Sequence, residues 1–486
     1  MTYYKYFILA LFLLFEGWNA QAQEVFYSEE QKFNFKKSEF QLVGKVKNQL
    51  YTFRTDGTQF FLDAYNDSMK LQVIVELDFI PKNAIKPQFV VANDELLVTF
   101  QYFQQNMLYL CATVLDYEAK MKMPVMVIDS VQASGAAARK KYGFYDQVAS
   151  NDKSKIAFYL IKDYDKQSVL EVLLFDPKLN FLAQQTLPIT GQQPIYPQQI
   201  LLGNNGSLYL SSYVFHQQEG QLNLQAQIVT LNLAAQSATR YNIPLEGIMI
   251  DGLQMKLDQV TDELQYSGFY ASSNKSAFEG FIYGKWSSNA DEAPTFKRNV
   301  ISEDLRLKLN TKKQKKAINS YQIRDVIVKN NGGLILIAEN FYITTKTTAP
   351  AMGFYSSYYG SPASRVIKEY NYGDLLLMSF DSTGGVEWNS IIRKHQYSQE
   401  DQGLFSSYAF ANTGAFLVFI YNDYNFNKNK LTIAAVNAQG KIAFSQMKTG
   451  EKSLDWVPRY AKQIGSLSLL FPCFKGSTLS YSLVEF

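Results

Sequence analysis

The chain has 486 residues, with 47 Lys+Arg against 44 Asp+Glu, two His and a net charge of +3, a balance that excludes a dedicated nucleic-acid binder with its strong basic excess. With 47% hydrophobic, 15% aromatic and 19% charged residues, it can bury enough apolar surface to offset about 1–2 kcal/mol of backbone entropy per residue, which excludes global disorder. Single cores stop growing near about 250–300 residues, so this length calls for several domains or for a repetitive architecture.

At the start, Met1-Thr2-Tyr3-Tyr4-Lys5 leads into an apolar run over 7–15 and a polar stretch closing with Ala20-Gln21-Ala22. That is the pattern of a secretory signal peptide cleaved after Ala22. The run is about half of the roughly 20 residues a membrane-spanning helix needs, and no later segment approaches that length. No cysteine follows it to carry a lipid. A mature chain without a transmembrane segment is expected, secreted, periplasmic or at the cell surface.

From there on, apolar positions alternate with a period of two and Tyr and Phe number 33 and 35, which makes the chain overwhelmingly β. One unit recurs about every 50–60 residues: an irregular strand, an apolar strand, a polar loop, a second apolar strand, a turn opened by Asp or Asn, and a more polar fourth strand. The apolar second strands fall at 49–54, 96–102, 156–161, 207–214, 264–270, 333–341, 415–421 and 467–471. The turns are expected at Asp67, Asp116, Asp176, Asn232, Asn289, Asp381 and Asn437, where such side chains bond their own backbone and tolerate left-handed dihedrals.

The repeat encodes an all-β fold, a β-propeller of four-stranded antiparallel blades. The last unit stops one strand short, and residues 24–35 form a strand-like stretch before the first complete unit. If that stretch fills the missing edge, the termini seal the ring and hide edges that would template aggregation. Eight blades are expected over a single domain, 23–486. Seven blades is the alternative, and two side-by-side sandwiches or barrels the competing architecture. Cys111 and Cys473 sit in apolar strands of non-adjacent units, beyond the roughly 7 Å a disulfide spans, and are expected to be free thiols.

Insertions into a repeat map to one surface and often carry function. The insertion over 344–373 contains Gly353-Phe354-Tyr355-Ser356-Ser357-Tyr358-Tyr359-Gly360 and Tyr370-Asn371-Tyr372. Aromatic rings on a Gly/Ser frame suit contact with a protein or glycan, so Phe354, Tyr355, Tyr358 and Tyr359 are the candidate binding residues; a hairpin folding its own tyrosines back is the other reading. The insertion near 297–318 carries Arg306, Lys308, Lys312, Lys313, Lys315 and Lys316. It reads as a solvated basic loop or as a site for an anionic polysaccharide or head group.

Catalytic signatures are missing: Gly-x-Ser-x-Gly, His-Glu-x-x-His and Gly-rich phosphate loops do not occur. His216, placed in a loop, and His395 have no local signature, and with two Cys they give no metal-ligand spacing. Residues 422–427 alternate oxygen-bearing side chains, as does Asp163-Tyr164-Asp165, but the Gly and distal Glu of a calcium loop are lacking. No catalytic residue, metal or cofactor is assigned. A carbohydrate-active or other hydrolytic enzyme at the channel mouth is the alternative to a non-enzymatic binding module, because a pair of carboxylates roughly 5–10 Å apart leaves no sequence motif.

Two resemblances follow. Asp381-Ser382-Thr383-Gly384-Gly385-Val386-Glu387-Trp388 resembles the tryptophan-docking repeat of eight-bladed quinoprotein dehydrogenases. The likeness covers one blade, and the turns at Asn437 and Asp176 carry no Trp, so it implies the fold and not the cofactor. Over the C-terminal third, the stretch from Gly333 through Glu339, Asp374 to Trp388, Arg393-Lys394-His395-Gln396, Ser406-Ser407-Tyr408 and Tyr421-Asn422-Asp423 resembles uncharacterised exported proteins of Bacteroidota-type bacteria. That resemblance implies provenance and little else, and no activity.

Overall fold

The alternation of apolar and polar residues becomes antiparallel sheet throughout. The computed structural model describes residues 24–132, 144–164, 167–189, 197–218, 221–243, 248–258, 260–261, 263–272, 278–286, 295–309, 320–348, 365–423, 430–447, 449 and 454–486. Eight sheets follow one another, each a meander of sequence-adjacent strands. They form blades 1 to 8, spanning 40–76, 85–132, 146–189, 199–242, 249–300, 321–392, 409–446 and 455–485. All eight anticipated second strands are present, from Gln49–Asp56 in blade 1 to Ser468–Lys475 in blade 8. Five of the first, innermost strands carry register shifts, as at Leu42/Gly44 and Ile323/Asp325, which is why they read as irregular.

The last blade supplies three of its strands from the C-terminal end, and Glu24–Tyr27 adds the fourth. It pairs with Thr478–Glu485 from Glu24↔Glu485 to Tyr27↔Ser482, and Gln31–Lys32 extends the same edge. The ring is an eight-bladed β-propeller closed by its N-terminal strand.

The core is distributed rather than central. Among the described residues, buried apolar side chains fall into eight clusters, one at each junction between neighbouring blades. Phe53 and Phe60 of blade 1 meet Phe89 and Phe100 of blade 2, and Leu470 and Leu483 of blade 8 meet Leu50 and Tyr65 of blade 1. Each added blade therefore adds its own buried interface, which removes the size limit on a single core. Cys111 lies at the blade 1/2 junction and Cys473 at the blade 7/8 junction, both buried and free.

Amide side chains bolt the blades together by imitating a strand partner, donating through Nε2 and accepting through Oε1. Gln101 does so to Tyr145 (2.8 and 2.8 Å), Gln199 to Met255 (2.9 and 2.6 Å) and Gln463 to Asn412 (2.9 and 3.0 Å). Each clamp satisfies backbone groups that a blade boundary would otherwise leave unpaired.

The turns between third and fourth strands share one design. Oδ1 of Asn66, Asp116, Asp176, Asp381 or Asn437 accepts from the backbone N–H groups two and four residues later. In blade 1 the bonding residue is Asn66, not the anticipated Asp67, because only from position 66 do both N–H groups lie in reach. At Asn232 the side chain bonds Ala235 N–H instead; Asn289 lies outside the described residues. The fourth turn residue is left-handed in all five, as Met69, Ala119, Leu179, Gly384 and Gly440. The first three bury their side chains. Where glycine stands, a ring of the preceding blade fills the space: a Cβ would come within 2.4 Å of Tyr283 at Gly384 and 2.5 Å of Trp388 at Gly440. Trp388 also donates Nε1–H to Ala438 O at 2.9 Å, so it docks on the next blade as the resemblance implied.

Candidate functional site

A meander sorts its own connections. Links from second to third strand and from one blade to the next emerge on one face, and the remaining turns on the other. The regular Asx turns occupy the second of these faces. Both insertions emerge on the first, here called the insertion face.

In blade 6 the second and third strands, Leu334–Thr348 and Arg365–Phe380, run 15 and 16 residues and stay paired out to Thr348↔Arg365. Gln396–Gln399 joins the extension by pairing with residues 369–372. The described arms of the insertion, residues 344–348 and 365–373, are thus a projecting paired hairpin with a third strand against 369–372, in keeping with the hairpin alternative, because the Thr-rich arms are strong strand formers. Tyr370, Asn371 and Tyr372 are buried in it rather than offered to a partner. Phe354, Tyr355, Tyr358 and Tyr359 lie outside the described residues, beyond the arms.

The basic insertion begins with a helix, Glu303–Leu309, whose Leu305 and Leu309 are buried at the blade 5/6 junction. Lys308 pairs with Asp304 at 2.5 Å, and Arg306 turns back toward Ile301 O. These two cations are engaged locally; Lys312, Lys313, Lys315 and Lys316 lie outside the described residues. His216 corrects the sequence reading, since it sits in Ser207–Gln218 opposite Asn223 rather than in a loop. His395 is exposed in the link after blade 6.

Beneath the projection lies a buried polar network that joins blades 6, 7 and 8. Glu339, fully buried, meets Lys394 Nζ at 2.7 Å through Oε1 and Arg324 Nε at 2.9 Å through Oε2, and Ser407 Oγ–H donates to Oε2 at 2.9 Å. Lys394 Nζ also reaches Gln396 Oε1, while Gln396 Nε2 donates to Ser407 O and Asn422 O. Asn422 Nδ2 bridges Phe405 O and Trp456 O at 2.8 and 2.9 Å, so this member of the supposed calcium loop is a structural tie. Burial pulls the Lys394 ammonium down from its ordinary pKa while Glu339 opposes that shift, and burial together with the Glu339 charge raises the Tyr408 phenol.

Tyr372 links this network to the ring's closing seam. Its ring packs on Phe341 with centroids 4.6 Å apart, and the Arg459 guanidinium lies 5.7 Å from its centre. Gly403 is required beside it: φ is +68° and a Cβ would lie 2.5 Å from the ring. Arg459 in turn donates to Gln402 O and Gly403 O at 2.9 and 3.0 Å. Residues quoted above for the exported-protein resemblance, among them Glu339, Lys394, Gln396, Ser407 and Asn422, therefore converge on one buried cluster. The signal available in the sequence was Glu339 itself, a carboxylate ending an uninterrupted apolar strand.

A general acid for glycoside cleavage needs a raised pKa. On the insertion face, hydrogen bonds from Tyr397 and Thr344 instead lower Glu369. Among the described residues no group of three His, Cys, Asp or Glu is placed to hold a metal ion, and no helix is long and apolar enough to cross a membrane.

No protein-family model matches the chain, and no curated protein matches it in sequence. Among solved structures it is similar to polysaccharide lyase Uly1, over 82% of this chain and 89% of that one, at 9% identity and a TM-score of 0.43. The WD40 domain of SCAP from fission yeast aligns over 96% and 98%, at 8% identity and a TM-score of 0.42. Prolyl oligopeptidase B from Galerina marginata aligns over 90% of this chain at 8% identity and a TM-score of 0.42; the alignment covers 55% of that chain, so this chain spans about half its length. The propeller assignment stands on the sheet order and ring closure rather than on these likenesses.

Proposed function

We propose that this propeller is a non-enzymatic binding or scaffold module of the cell envelope, exported through its N-terminal segment, that contacts a protein or glycan partner through the insertion face. The observation that carries the reading is the asymmetry of the two faces: a stiff three-stranded projection stands on one and repeated tight turns on the other. Phe354, Tyr355, Tyr358 and Tyr359 sit at the end of that projection in sequence, where aromatic rings supply contact area at small entropic cost. The resemblance to exported proteins of Bacteroidota-type bacteria fits the same reading. Deleting residues 350–362 tests it. Capture of a partner from the native envelope should be lost while the melting temperature stays within about 2 °C, since the paired arms and the buried network remain. Equal loss of capture and stability would make the segment structural.

A further inference from the structure

Where the ring closes, the insertion face holds a pocket of about 640 Å³ between blades 8 and 1. That volume is in the range of small-molecule sites. It forms because the closing strand, after Gln31–Lys32, must cross to the first strand of blade 1, and the crossing segment carries Phe33 and Phe35. Those rings pack on Phe474, with centroids 5.4 and 4.7 Å away, and Phe40 completes the wall at 5.8 Å from Phe474. Phe33 is buried, whereas Phe35 remains 51% exposed. An open aromatic wall is thus held rigid from behind.

Two cations stand at this wall with neutral partners. Arg459 is held by carbonyl oxygens and lies over the rings of Tyr372 and Tyr460. Lys462 donates Nζ–H to Val43 O at 2.7 Å, and burial lowers its pKa, with Lys153 adding like-charge repulsion. Among the described residues neither forms a salt bridge. Glu39 also lines the pocket but is paired with neither. Cations hydrogen-bonded to neutral carbonyls beside tilted and edge-on rings match one ligand chemistry: a ring for the phenylalanines and an anion for the guanidinium and ammonium.

We propose that the seam pocket binds an aromatic carboxylate, its ring against Phe35 and Phe474 and its carboxylate toward Arg459 and Lys462. The site lies on the face assigned to partner contact but needs no residue of 350–362, so it stands or falls separately from that reading. Two sources share the chemistry, a free arylalkanoate and a peptide ending in phenylalanine.

Calorimetry on the mature chain distinguishes them with 3-phenylpropanoate, an eight-residue peptide ending in Phe, and the same peptide as its C-terminal amide. One or both acids should bind. The amide should bind roughly tenfold or more weakly than the acid peptide, because a charge-assisted hydrogen bond is lost. Binding of 3-phenylpropanoate alone assigns a small-molecule site; binding of the acid peptide alone assigns capture of a chain end. Phe35→Ala should weaken every binding ligand, and its half-exposed ring makes it a safe substitution for folding. Lys462→Met should weaken the acids and leave any residual amide binding unchanged. Equal affinity for acid and amide, binding unaffected by Phe35→Ala, or no binding by any probe would overturn the proposal. If the 350–362 deletion loses envelope capture yet keeps acid binding, the two sites are independent; retention of both capture and acid binding would refute only the contact-face reading, and loss of acid binding in that deletion would overturn the seam-pocket proposal.

Discussion

The two faces of the ring are made from the same strands and differ in almost everything else. On the face of the Asx turns, five blades solve the same problem identically, each opening side chain accepting from its own turn's backbone. On the insertion face, a hairpin outgrows its blade, a lysine and a glutamate are buried together, and two cations donate to neutral carbonyl oxygens. Repetition secures the scaffold, and departures from it concentrate charge and aromatic surface where a partner can reach.

The sharpest way to break this comparison is to unseal the ring that both faces share. A chain beginning at Phe33 lacks Glu24–Tyr27 and Gln31–Lys32, leaving Thr478–Glu485 as an open edge. It should lose cooperative melting and self-associate, as read by calorimetry and size-exclusion chromatography; a monomer melting within a few degrees of the parent would show that closure is dispensable. Cys473, whose thiol burial pushes up to about 12, should react with a maleimide in the truncated chain and resist it in the intact one.

Next in size is the buried ion cluster. Glu339→Leu strands Lys394 in the interior and should cost about 3–5 kcal/mol, while Glu339→Leu with Lys394→Met should recover much of that loss. Urea titration of the single and double variants measures the difference. If the double variant is no better than the single, the pair is not the element that matters.

On the turn face the effects should be smaller and local. Gly440→Ala places a Cβ 2.5 Å from Trp388 at φ +75°, whereas Gly414→Ala, at φ +83°, meets open space. Both incur the left-handed penalty, and only the first also displaces a docked ring, so it should be the more destabilising by about 1–3 kcal/mol. Smallest of all, Asp116→Ala removes two turn hydrogen bonds at the surface and should cost about 1 kcal/mol, in contrast to Glu339→Leu across the ring.

The fold was legible because its rules are local. Alternation marked the eight second strands, turn chemistry marked most of the boundaries, and the short last unit pointed to the closing strand. Asn66 was displaced by one because Asn66-Asp67 offers two turn formers in succession, and only the hydrogen-bond geometry chooses between them. The site was less legible because its rules are not local. Glu339, Lys394 and Ser407 come together only when blade 6 packs on blade 7, and Phe33 meets Phe474 only when the ring has closed. The hairpin arms hid their rigidity for a different reason: Tyr370 to Tyr372 read as loop chemistry until Gln396–Gln399 supplied a third strand against them.

The pairing of Glu24 with Glu485 has a practical outcome for orientation. Glu24 and Glu485 both lie on the side of the Asx turns, away from the projection and the seam pocket. An affinity tag, a flexible tether or a surface linkage at either terminus would therefore hold the disc from behind and display its working side outward.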